Sequence, residues 1–375
     1  MTANELLERF HEIAVSPRAQ LDRYLAEGRK VVLTAPVYTP EELIHAMGAV
    51  PFGAWGADVE LDEAKRYFPA FICSIVQSLL ELGVRGAYKG VSAIVIPSLC
   101  DSLKVTGQNW KVAVPSIPFI PMTYPQNRKP AFGADFTRAG YERVIADLEK
   151  ATGLHFDDTA LARSIEVYNA HNQVMRQLVT VLADHPEVTA AQRSDVFKSA
   201  FFLTKEEHTA LVRELMDALN RQAPGKEKLK ILTTGILADA PGLNAILDDC
   251  GMQIVCDDVA AQSRQYRTDA PQEGADNLDR LVKKFQAMDN CSVLYDQEKK
   301  RCRMIAEDAK KTGARGVLVV LTKFCDPEEF DYPLIKKACE QAGIPVTVIE
   351  VDRQMVNYEQ ARTAVETFRD LLSME

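Results

Sequence analysis

Apolar residues recur at helical spacing at the start of the chain, with Leu6, Leu7, Phe10 and Ile13 on one face, and the pattern breaks at Pro17. Residues 1–28 therefore read as a short amphipathic helical arm. From Arg29 to Thr34 the pattern changes to a β-branched run. Thr39-Pro40-Glu41-Glu42 then has the form of a capping box with proline at the first helical position. Leu43, Ile44 and Met47 supply a buried stripe, Gly48 ends the helix, and a further apolar segment runs from Val50 to Trp55, which completes a βαβ unit. An apolar helix begins near Cys73, runs to Leu82 and stops at Gly83. The run Gly90 to Pro97 (GVSAIVIP) is of the kind buried on both faces of a parallel sheet, and it ends in Ser98-Leu99-Cys100-Asp101.

From about Tyr141 to Asn220 the pattern is almost wholly helical: Ile165, Val167 and Tyr168, then Met175, Leu178, Val179 and Leu182, recur at helical spacing. Gln222 to Lys226 reads as a linker. The remainder repeats the first part in outline. Lys228 to Thr234 (KLKILTT) echoes Arg29 to Thr34 (RKVVLT), a helix over Leu243 to Asp249 stops at Gly251 before a strand from Gln253 to Cys256, and Gly316 to Leu321 (GVLVVL) parallels Gly90 to Pro97 and leads into Lys323-Phe324-Cys325-Asp326. The competing reading is that any two buried βαβ units look alike. The expected architecture is α/β, with two Rossmann-like parallel-sheet domains related by an internal repeat and a helical segment between them. Its parts are the arm over 1–28, a first α/β domain over 29–140 carrying Cys73 and Cys100, a helical segment and linker over 141–225, and a second α/β domain over 226–375 carrying Cys325. A length of 375 residues exceeds one ordinary core and agrees with that division.

The net charge of −9 argues against duplex DNA or an anionic membrane as partner, because phosphate binding relies on clustered Lys and Arg. No apolar run approaches the roughly 20 residues of a membrane span, and Met1 to Glu5 lacks the character of a signal peptide, so the expected address is cytoplasmic. In a reducing compartment the eight cysteines are core filler or metal ligands rather than disulfides.

Cys100 and Cys325 each lie just beyond a buried parallel strand and each precede an aspartate. Ligands bind outside the carboxyl ends of such strands, and an approximate two-fold between the halves would make the two thiols face each other. Cys73 stands at the start of an apolar helix, where first-turn amides favour the thiolate that binds metal, although a packed helix cysteine is the plain alternative. Without a compact CxxCxxC run, three such thiols would leave one iron of a cubane without a cysteine ligand. Cys291, in Asn290-Cys291-Ser292, mirrors Cys73-Ser74 and is the candidate for a fourth ligand, with packing the favoured reading. Cys250, Cys256, Cys302 and Cys339 read as packing or surface thiols. Zinc is the competing metal, yet no CxxC and no HxxxH occurs. Among the histidines, His45 reads as a partly buried helix residue and the others as lying in polar helical surroundings. Signatures of dinucleotide, Walker-type and hydrolase sites are missing. Asp257-Asp258, with Gln262, Arg264 and Gln265, forms a polar cluster that could orient a ligand or meet a partner, a helix N-cap being the simpler reading. Asn109-Trp110-Lys111 and Gln126-Asn127-Arg128 read as loop groups close in sequence to Cys100.

Taken together, FPAFICS around Cys73, PSLCDSL around Cys100 followed by GQNWK, PQNR at Pro125 to Arg128, DDVAAQSRQ from Asp257 to Gln265, and KFCDPEEFDYP from Lys323 to Pro333 resemble the 2-hydroxyacyl-CoA dehydratase family in order and spacing over nearly the whole chain. The likeness is greatest to the β subunits of its lactoyl-CoA and 2-hydroxyisocaproyl-CoA branches, and benzoyl-CoA reductase subunits are the nearest confusable group. The resemblance implies a heterodimer with a homologous α subunit and one [4Fe–4S] cluster per subunit, held by three cysteines and a non-protein ligand. Residue by residue, those cysteines are Cys73, Cys100 and Cys325. It also implies an ATP-dependent iron–sulfur activator protein that delivers one electron, and an (R)-2-hydroxyacyl-CoA substrate at or near the subunit interface. In the family, the electron reduces the thioester carbonyl to a ketyl radical anion that expels hydroxide; loss of a proton and return of the electron give the 2-enoyl-CoA. Such a route answers a real difficulty, since the C3 hydrogen is not acidic and acid–base assistance of about 10²–10⁴-fold would not suffice. The family's β cluster relays electrons while the α subunit binds substrate, so a relay role is expected here, with no catalytic residue assigned. A subunit of a benzoyl-CoA-reductase-type enzyme and a non-catalytic scaffold are the alternatives.

Overall fold

A computed structural model of the chain describes residues 1–374. The first apolar stripe folds as two helices, α1 (Ala3–Val15) and α2 (Pro17–Ala26), with a Thr2–Glu5 capping box starting α1 and Pro17 starting α2. Neither projects into solvent, because Leu6, Leu7, Phe10 and Ile13 are buried in the main core.

The first sheet follows as β1 (Val31–Thr34), α3 (Glu41–Ala46), β2 (Val50–Gly53), α4 (Ser74–Val84), β3 (Ala93–Pro97), α5 (Asp101–Ala113) and β4 (Phe119–Met122). Its strands are parallel in the order β2-β1-β3-β4. Three local expectations change. The capping box before α3 does not form: Pro40 is the N-cap, Thr39 Oγ1 donates to the Ala35 carbonyl at 3.0 Å, and Glu42 pairs at 2.5 Å with the Lys284 ammonium, a stronger partner than a backbone amide. Gly83 does not end α4 but lies inside it, where an added Cβ would meet the Trp110 ring at 2.8 Å. The glycine is there for close helix packing. Strand β4 was hidden by Pro118 and Pro121, which a sheet tolerates at its edge, and β4 is an edge strand.

The helical segment comprises α6 (Ala131–Thr152), α7 (Asp158–Ala183), α8 (Ala190–Ser199) and α9 (Lys205–Asn220), beginning earlier than Tyr141. Side chains of Asp157, Thr189 and Thr204 cap the last three of these helices, which explains their sharp starts. The second sheet is built from β5 (Leu229–Gly235), α10 (Pro241–Asp249), β6 (Met252–Val259), α11 (Asn277–Ala287), α12 (Lys300–Thr312), β7 (Gly316–Thr322), α13 (Asp326–Gln341), β8 (Val346–Val351) and α14 (Glu359–Met374). Its parallel order, β6-β5-β7-β8, is that of the first sheet with each strand replaced by its counterpart. Two Rossmann-like parallel sheets with the same winding thus form an α/β fold, as the repeat in the sequence implied. One continuous apolar core carries residues of both halves. Among the described residues, no helix is long and apolar enough to cross a membrane.

Candidate metal centre

β3 and β7 occupy the same place in their sheets, and each delivers its chain to a cysteine that opens a helix: Cys100 is the N-cap of α5 and Cys325 the N-cap of α13. Cys73 is the N-cap of α4. All three cysteines therefore stand at helix N-termini, near first-turn amides. These amides favour the thiolate at each site, those of Ile75 and Val76 at Cys73, of Ser102 and Leu103 at Cys100, and of Glu328 at Cys325. Burial pushes Cys73 up to about 12, raises Cys100, and raises Cys325 well above the ordinary thiol value, while the amides pull the other way. Mutual repulsion adds to the burial effect, since Cys73 feels Cys100, and Cys325 feels both of the others. Phe324, just before Cys325, has φ +63, so the turn that delivers this cysteine is held in the left-handed region that a non-glycine residue avoids.

The three thiols line one cavity of about 600 Å³ at the junction of the two halves. Leu99, Ile236 and Val293 are among its apolar lining residues, and Asp101, Asp296, Lys104 and Lys299 among its charged ones. Among the described residues, no three His, Cys, Asp or Glu side chains close around a single ion position.

Behind Cys325 lies a buried ionic network that the sequence pattern did not reveal. Asp257 and Asp258 sit within β6 rather than capping a helix, and both are buried. Asp258 pairs with Arg264 (3.0 Å), Arg301 (2.7 Å) and Arg267 (2.6 Å), and Asp257 with Arg193. Four guanidinium groups outweigh the helix-cap role, although Asp257 Oδ1 still accepts from the Val259 and Ser263 amides as the chain leaves β6. Arg264 and Arg301 also reach Glu328, at 3.1 and 2.7 Å, in the first turn of α13. Burial alone would raise the Glu328 carboxyl, but Arg301 and Arg264 overcome it and hold it below the usual range. Its spacing, three residues after Cys325, was the one available signal.

Other candidates fall elsewhere. Cys291 does not line the cavity; its Sγ lies 3.1 Å from the Tyr38 hydroxyl and 3.6 Å from Arg264, while the neighbouring Ser292 faces the cavity. Cys302 and Cys339 pack together in the core beneath α12 and α13, Cys250 closes α10, and Cys256 lies within β6. Asn109-Trp110-Lys111 is helical rather than loop, and Trp110 is fully buried with Nε1 donating to the Ile117 carbonyl at 3.0 Å. Arg128 does not reach the cavity. It is buried as a clamp, donating to the carbonyls of Phe285 (3.1 Å), Tyr295 (2.9 Å) and Met288. His171 and His208, expected in polar helical surroundings, prove fully buried. Sequence reasoning also missed Arg353, whose backbone amide donates to Ser74 Oγ at 3.1 Å, beside Cys73.

Comparison with known proteins agrees with the motifs. The family described as "2-hydroxyglutaryl-CoA dehydratase, D-component" matches residues 36–372. The chain is 46% identical over 366 residues to the (R)-phenyllactyl-CoA dehydratase beta subunit of Clostridium sporogenes, covering 97% of each chain. It is 39% identical over 372 residues to the lactoyl-CoA dehydratase subunit beta of Anaerotignum propionicum, covering 98% of each. A benzoyl-CoA reductase subunit of Thauera aromatica is 25% identical over 354 residues, with 92% of each covered. On these full-length matches, this chain belongs to the 2-hydroxyglutaryl-CoA dehydratase D-component family.

Proposed function

We propose that the chain is the β subunit of a cytoplasmic (R)-2-hydroxyacyl-CoA dehydratase, and that Cys73, Cys100 and Cys325 hold a [4Fe–4S] cluster that relays an electron. One observation carries the reading: three helix-capping cysteines from two halves of the fold line a single cavity. The donor set fits the group. Soft, buried sulfur donors suit iron–sulfur clusters, and three of them leave one iron for a non-protein ligand. When bound, such a cluster supplies one-electron transfer at a potential set by hydrogen bonds to its sulfurs and by its exposure to solvent.

The chain's own residues then have definite tasks. First-turn amides of α4, α5 and α13 oppose the burial that favours the neutral thiols, and so ease formation of the thiolates that bind metal. Leu99, Ile236 and Val293 supply apolar surface to the cavity that the sulfurs line. A homologous α subunit, an ATP-dependent iron–sulfur activator and the acyl-CoA substrate complete the proposed system, with the substrate at or near the subunit interface. The benzoyl-CoA-reductase alternative has the weaker support, 25% identity against 46% and 39%.

Anaerobic reconstitution tests the reading. About four irons and four sulfides per chain are expected, lost on replacing Cys73, Cys100 or Cys325 by serine and kept on replacing Cys302. A colourless wild-type chain carrying one zinc would overturn it. Product analysis with the α subunit and activator separates dehydration from reduction.

A further inference from the structure

Glu328 is the third residue of α13, at the spacing from Cys325 at which a glutamate ordinarily turns back to cap its own helix. Here it does not. The Cys325 amide donates to the Thr322 carbonyl at 2.9 Å, and the Glu328 carboxylate faces the other way, fully buried. One oxygen accepts from Ser292 Oγ at 2.7 Å and from Arg264 at 3.1 Å, and the other from Arg301 at 2.7 Å. Ser292 lines the cysteine cavity. The backbone amide of Glu328 donates to the Cys325 carbonyl at 3.0 Å, so the first turn of α13 ties this carboxylate to the residue that carries the thiol. A single residue thus closes the turn that carries the thiol and, through Ser292, sets a carboxylate behind the cavity wall.

The surroundings make that charge permanent. Arg264 and Arg301 are in turn held by Asp258, at 3.0 and 2.7 Å, and Arg301 also by Asp331 at 2.8 Å. All of these groups are buried, so bulk solvent screens them little. The acidic residues that line the cavity itself, Asp101, Asp296 and Asp326, are exposed or half-buried, and Asp101 is paired with Lys104. The fully buried carboxylate behind the cavity wall is Glu328.

On the reading of the three cysteines as cluster ligands, we infer that Glu328 is a positioning residue for Cys325 whose fixed negative charge lowers the reduction potential of the group held by Cys73, Cys100 and Cys325. Nearby anions disfavour the more negative, reduced form by the same Coulombic rule that governs proton affinities.

The test is a redox titration, followed by electron paramagnetic resonance, of the reconstituted full-length wild-type chain, Glu328→Gln, Glu328→Asp and the control Asp331→Asn. Glu328→Gln is expected to retain iron and sulfide at wild-type content and to raise the reduced-to-oxidised ratio at a fixed potential about tenfold, a shift of about 59 mV for one electron. Glu328→Asp, which keeps the charge, is expected to restore the wild-type value. Asp331→Asn removes an equal charge from the same network farther along α13 and is expected to move the potential little, whereas a merely structural role would make Glu328→Gln and Asp331→Asn alike. Should Glu328→Gln fail to fold, Ser292→Ala reads the same effect: removing one donor to the carboxylate exposes its charge and lowers the potential. Iron-loaded wild type and variants with equal potentials would overturn the inference alone. A wild-type chain that takes up no iron would overturn the cluster reading, and this inference with it.

Discussion

At the residue scale, the buried histidine pair illustrates how burial becomes a pH dependence. His208 Nε2 donates to the Val196 carbonyl at 2.9 Å, so its Nδ1 accepts from His171 Nε2 at 3.0 Å, an assignment fixed by the hydrogen-bond network, and both rings are neutral. Burial lowers His208 to about 3 and His171 well below the ordinary value. Unfolded histidine titrates near 6.5, so the unfolded chain takes up protons that the folded chain refuses. Stability is complete above about pH 6.5 and falls as the pH drops toward 3, by about 1 kcal/mol per pH unit for His208. His208→Gln is expected to flatten this acid limb in a series of melting curves; an unchanged slope would refute the account. The cysteines show what single residues disclose in advance. Cys100 and Cys325 were legible because a thiol just past a buried strand is a local pattern. Glu328 and Arg353 were not, since their partners lie 64 and 279 residues away in the sequence.

Elements are shaped by the same asymmetry between local and distant partners. The helices could be read from their capping residues and apolar stripes, but β4 could not, because two prolines mask a strand whose edge position becomes evident only once the sheet exists. Likewise, Asp257-Asp258 inside β6 contradicts a hydrophobic strand template until the arginines of three other segments surround it. Arg128 does comparable work for the stretch between α11 and α12, where the cavity-lining residues Val293 to Tyr295 lie. Replacing Arg128 by methionine strands buried carbonyl groups, at a cost of about 1–3 kcal/mol for each one left without a donor. The expected outcome is a lower melting temperature and faster hydrogen exchange over residues 288–296, with α6 and α7 unaffected. Gly83→Ala should destabilise by about 1–3 kcal/mol through overpacking against Trp110, measurable by denaturant titration.

At the scale of the whole molecule, the identical winding of the two sheets was foreshadowed by paired apolar runs, whereas the contacts that set one half against the other were not. Arg353 is the clearest of these contacts. It joins Asp239 of the second half (3.0 Å) to Asp58 (3.3 Å) and the Trp55 carbonyl (3.4 Å) of the first, and its main chain meets the residue after Cys73. On the cluster reading, Arg353→Met is therefore expected to speed the loss of iron to a chelator although all three cysteines remain, and Arg353→Lys to recover this only in part, because an ammonium is a compact point charge without the planar fork of donors. Equal chelation rates for all three proteins would contradict that role.

The distribution of the three thiols bears on how the protein is made. A nascent chain can bury its first sheet and present Cys73 and Cys100 while Cys325 is still within the ribosome, and domains commonly fold in that order during synthesis. Until α13 has emerged and docked, the site has only two sulfurs. On the cluster reading, metal loading belongs after translation, on a scaffold already assembled, and a chain truncated before α13 would fold in part yet have nothing to load.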